Sequence, residues 1–93
     1  MVAAPAFPKH VCGHFFRSTQ DFIVYDGGGL GCSKATPMIE SFVHGKAKQH
    51  GTSDADSYWT IGAFPGFKCI QSMGQGQCVK GNEIAAYKIK GAG

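Results

Sequence analysis

Ninety-three residues with a formal net charge of +3, nine Lys and Arg against six Asp and Glu, make one small domain. That size leaves no room for a second folded unit or a parallel α/β nucleotide site. No run is long and apolar enough to span a membrane, and so mild a charge does not single out nucleic acid. Fourteen glycines and four cysteines predict a turn-rich fold that depends on covalent staples.

Residues 1–9 carry three alanines and two prolines without periodicity and read as a flexible N-terminal arm. Their composition suits the start of a mature exported protein, its leader removed and Met1 added. Residues 10–16 read as an extended segment. Residues 21–25 read as a strand, because Phe22, Ile23, Val24 and Tyr25 are β-formers. The two can pair as a hairpin around residues 17–20. Gly27-Gly28-Gly29-Leu30-Gly31 then breaks the strand.

A helix follows, with Ala35, Met38, Ile39, Phe42, Val43 and Lys46 recurring at three and four residues. Ser33 or Thr36 is the expected cap, Pro37 fits the first turn, and Gly45 is the expected stop. Residues 46–56 are polar and read as a surface loop suited to making contacts. Residues 57–63 form a strand in which Trp59 and Ile61 share the face toward the helix. After Phe64-Pro65-Gly66, residues 67–70 and 77–79 make a hairpin around residues 72–76. A second reversal at Gly81-Asn82 leads to a returning strand at residues 83–89.

The expected fold is thus a single α+β domain over residues 10–90, with a tail at 91–93. One helix packs on an antiparallel sheet of about four to five strands. Phe22, Val24, Ala35, Ile39, Phe42, Trp59, Ile61, Phe67, Val79, Tyr87 and Ile89 are its core candidates.

C-x-x-C is absent, so the four cysteines do not read as a structural zinc site. The 67–79 hairpin brings Cys69 opposite Cys78 at a separation that a disulfide spans, leaving Cys12–Cys32 by elimination. Each bridge is worth about 2–4 kcal/mol, the short loop at the lower end. Two bridges in so small a chain imply an oxidising, extracellular setting.

Gly31-Cys32-x-x-Ala35, a helix ending at Gly45, Gly66-Phe67-x-Cys69 and Cys78-x-x-Gly81 together resemble a pattern in small exported, disulfide-containing proteins of actinobacteria, mycobacterial ones included. The resemblance covers residues 31–89. Its motifs are structural, and most such proteins lack an assigned activity, so it implies a scaffold and no catalytic residue.

His10-x-Cys12-x-His14 is the most suggestive local cluster, since a spacing of two puts three zinc or copper donors on one side of a strand. No fourth ligand is evident, and a disulfide at Cys12 removes one of the three. The glycine run before the helix matches neither G-x-x-x-x-G-K-[ST] nor G-x-G-x-x-G and reads as a connection. No serine sits in G-x-S-x-G. A secreted ribonuclease is the best enzymatic alternative, with Glu40, His44, His50, His14 and Arg17 as acid, base and phosphate clamp.

The sequence therefore points to a secreted, non-enzymatic protein without cofactor that binds a protein or cell-envelope component, or inhibits a hydrolase. Its expected contact regions are residues 46–57 and 72–77, with Lys48, His50, Asp54, Tyr58, Met73 and Gln75 as the contact residues.

Overall fold

The computed structural model describes residues 8–51, 57–72 and 74–90. In chain order the elements are β1 (His10–Arg17), β2 (Gln20–Gly27), α1 (Cys32–Val43), β3 (Ala47–His50), β4 (Tyr58–Ile61), β5 (Phe64–Ser72), β6 (Gln75–Lys80) and β7 (Glu83–Ile89). All seven strands form one antiparallel sheet in the order β1-β2-β7-β6-β5-β4-β3. The domain is α+β with one helix among the described residues, as expected, but the sheet has seven strands rather than four or five. The polar run Ala47–His50 is the edge strand β3 and not a loop. An edge strand with one partner needs no apolar alternation, and Lys48 on it discourages further pairing.

Helix α1 buries Ala35, Met38, Ile39 and Phe42, spaced at three and four, against β2 and β7. Met38 and Ile39 are fully buried, each worth about 1.5–3 kcal/mol relative to exposure. The helix starts earlier than the periodicity predicts. Gly31 occupies the N-cap position without a side-chain bond, so neither Ser33 nor Thr36 caps it, and Pro37 lies inside the helix. Gly45 does end it: at φ 81° its N–H bonds the Phe42 carbonyl, and the Lys46 N–H bonds that of Ser41.

The sheet curves around the helix C-terminus. Phe15 on β1 approaches the His44 ring at 5.9 Å, while Trp59 on β4 approaches Phe42 at 5.9 Å. Five strand spacings separate β1 from β4, about 24 Å if flat, against a helix diameter of about 10–12 Å. Eight of the core candidates are buried: Phe22, Val24, Ala35, Ile39, Phe42, Ile61, Phe67 and Tyr87. Trp59 and Ile89 pack partly buried at the rim. Val79 is not in the core. It pairs with Lys68 and Ile84 on the face away from the helix, because Cys78 takes the inward position.

Both disulfides have the expected pairing, Cys12–Cys32 and Cys69–Cys78. Cys69 and Cys78 are direct partners across β5 and β6, completely buried beneath the helix side of the sheet.

Candidate functional site

The helix covers one face of the sheet, and no described helix packs on the other. Strand register assigns residues to that outer face. Tyr58 opposes His50 and Thr60 opposes Lys48, while Trp59 between them pairs with the inward Cys69. On β6, Gln75 and Gln77 alternate with the inward Gly76 and Cys78. Lys48, His50, Tyr58 and Gln75 therefore share the outer face. Asp54 and Met73 lie outside the described residues.

Around Tyr58 this face is organised. The His50 ring stacks on Tyr58 at 5.0 Å and 14°, and the Lys68 ammonium sits 5.0 Å from the Tyr58 ring centroid. His50 Nε2 and Thr60 Oγ1 are hydrogen-bonded at 2.8 Å. A phenol ring flanked by an imidazole and a cation is a preformed platform for an anionic or planar group. The exposed large hydrophobic residues among those described, Val11, Phe16 and Ile70, lie on this same face, opposite Tyr25, Asp21 and Gln77 respectively.

The concave side holds a pocket of about 430 Å³ beside the helix C-terminus. Phe22, Phe42, Trp59 and Tyr87 supply its aromatic wall, with Arg17 and Gln71 as polar groups. Tyr87 lies across Gly76 so closely that a Cβ there would come within 2.6 Å of its ring. The Tyr87 hydroxyl donates to Gln71 Oε1 at 3.2 Å. Burial raises the phenol above its usual pKa of 10.0, because desolvation disfavours the phenolate. The folded state therefore holds this proton more tightly than the unfolded chain. Its contribution is intact below pH 10 and is lost as pH rises through the raised folded value. Urea titrations from pH 9 to 12 should show stability falling more steeply in the wild type than in Tyr87→Phe. Equal slopes would contradict that origin.

The metal row that the sequence suggests does not stay together. A bulge between Val11 and Gly13 sets Gly13 opposite Val24, and a bulge shifts the facing of all that follows. His14 turns to the outer face, opposite Ile23, with Nδ1 2.9 Å from Asp21 Oδ1. His10 and Cys12 turn instead toward Asp26 and Cys32, and the four potential donor atoms lie within 4.8 Å of one another. Asp26 falls between the strand read at residues 21–25 and the glycine break from Gly27, where nothing local marks it. Its inward position two residues beyond Val24, itself two beyond Phe22, is the signal that would have revealed it.

The residues of the ribonuclease alternative are dispersed. Glu40 and His44 line a small cleft on the solvent side of the helix with Lys46, Arg17 borders the concave pocket, His14 pairs with Asp21, and His50 stacks on Tyr58. No described helix is long and apolar enough to cross a membrane. No family model, curated protein or solved structure matches the chain.

Proposed function

We propose that this chain is a secreted, non-catalytic binding protein whose contact surface is the helix-free face of its sheet, and whose partner is an acidic protein or cell-envelope polymer. One observation carries this reading: the exposed apolar side chains Val11, Phe16 and Ile70 share a face with Lys48, Lys68 and the His50–Tyr58 stack. Ile70 on β5 lies beside the Lys68–Tyr58 cluster and suits a contact surface, with Val11 and Phe16 on β1 at the opposite edge of the same face, and the lysines select for negative charge. Two disulfides in a small domain support an extracellular setting, as does the likeness to small exported actinobacterial proteins.

The test is binding of fluorescently labelled protein to isolated cell-wall polymer bearing phosphate or carboxylate groups. The Lys48→Glu/Lys68→Glu double variant should bind more weakly by about tenfold or more, and Tyr58→Ala should also lose affinity. Absence of binding by the wild type, or equal binding by the double variant, overturns the proposal. So does RNA cleavage that disappears in His44→Ala, which would establish the ribonuclease alternative.

A further inference from the structure

Asp26 is the buried charged residue among those described, at 8% exposure, and it sits against the Cys12–Cys32 bridge. Its Oδ2 accepts from the Gly31 N–H at 3.1 Å, and its Oδ1 contacts His10 Nδ1. The same Oδ1 lies 3.5 Å from Cys12 Sγ and 3.7 Å from Cys32 Sγ. In the disulfide neither sulfur carries a proton, so a carboxylate oxygen faces two sets of sulfur lone pairs. Protons on the sulfurs, or a cation among the three atoms, would convert that contact into an attraction.

Other features reinforce this. The bulge in β1 brings Cys12 to the carboxylate beside His10. Cys32 is the first residue of α1, whose N-terminus has no side-chain cap and no acidic residue in its first turn. Both cysteines are half-exposed and the His10 side chain is 72% exposed, which leaves a path from solvent. The Cys69–Cys78 bridge is wholly buried.

We propose that reduction of Cys12–Cys32 opens a zinc site formed by His10, Cys12, Asp26 and Cys32. A dithiol reductant supplies two electrons and two protons: the sulfur–sulfur bond breaks, two thiols form, and the reductant closes to its own disulfide. Zn²⁺ then displaces both thiol protons and is held by two thiolates, one carboxylate oxygen and one imidazole nitrogen. A disulfide oxidant of the same class reverses the sequence, re-forming the bridge and releasing the metal. Tetrahedral zinc with bonds of about 2.0–2.3 Å separates its ligands by roughly 3.3–3.8 Å. The donors are already within 4.8 Å, so only the bonded sulfurs must move apart and the outermost atoms close in. Two thiolates with a carboxylate and an imidazole make a donor set suited to zinc. The site explains why a buried carboxylate stands beside a bridge that needs none.

Anaerobic titration of the dithiol-reduced protein with Co²⁺ as a spectroscopic stand-in, followed by displacement with Zn²⁺, tests this. One equivalent should give the d–d bands of tetrahedral cobalt and a thiolate charge-transfer band, all bleached by zinc. The oxidised protein should give none. Asp26→Asn and the surface variant His10→Ala should each weaken zinc binding by about tenfold or more, whereas His14→Ala should match the wild type. No bands after reduction would overturn the proposal. Cobalt bound through the thiols with affinity unchanged in both His10→Ala and Asp26→Asn would overturn it too.

Discussion

Gly28→Ala is expected to destabilise the protein by about 2–5 kcal/mol, the sum of about 1–2 for forcing an L-residue into left-handed backbone and about 1–3 for overpacking. Gly28 has φ +66°. A Cβ there would lie 1.4 Å from the Asn82 carbonyl oxygen and 2.3 Å from its carbon. Those are backbone atoms of the β6–β7 turn, so no side-chain rotation relieves the clash. The turn leaving β2 and the turn entering β7 would have to separate, at the place where the N-terminal hairpin joins the rest. Gly29→Ala is the internal control: its φ is +81° but nothing lies within 4 Å, so its cost is confined to the backbone at about 1–2 kcal/mol. For a domain this size about 1 kcal/mol moves Tm by about 4–8 °C. Thermal denaturation should therefore place Gly28→Ala well below Gly29→Ala. Equal midpoints would show that the two turns do not touch.

The paired substitution Cys69→Ala/Cys78→Ala should cost about 3–4 kcal/mol, from two sources. Removing a cross-link that spans nine positions in sequence frees the unfolded chain by about 2.6 kcal/mol in the entropic description. Both sulfurs are also completely buried, and deleting them leaves space that the surrounding core fills only in part. The half-exposed Cys12–Cys32 bridge closes a loop about twice as long, with an entropic contribution of about 3.3 kcal/mol but little burial to add. Denaturant unfolding of each double variant measures the two losses. Intact-mass analysis during a reductant titration should show Cys12–Cys32 opening first. Simultaneous opening would mean that burial does not protect the inner bridge.

Much of this architecture was legible because local chemistry and tertiary structure agree. The apolar stripe of α1 faces the sheet, Gly45 stops the helix, and the turn residues set the 67–79 hairpin so that Cys69 meets Cys78. The failures have specific causes. Ala47–His50 pairs on one side only, so its strand needs no hydrophobic signature. Val79 looks like core by composition, but parity with Cys78 sends it outward. At the cysteine cluster, strict alternation predicted His10, Cys12 and His14 on one side, and a single bulge parted them. Asp26 and Cys32 joined His10 and Cys12 through long-range folding, which spacing along a strand cannot report. In the sequence, the outer-face residues read as loop and hairpin-tip positions. They prove to share one surface because the strands carrying them alternate in phase.

β7 lies between the β1–β2 hairpin and the β3–β6 meander, although it is made after both. A nascent chain leaving the ribosome N-terminus first thus presents two half-sheets that share the helix but lack the strand that joins them. Until residues 83–89 emerge, β2 and β6 each expose a row of unpaired backbone groups able to recruit a neighbouring chain. A stalled or prematurely ended product would expose both rows at once, and would be a target for quality-control proteases and a seed for aggregates.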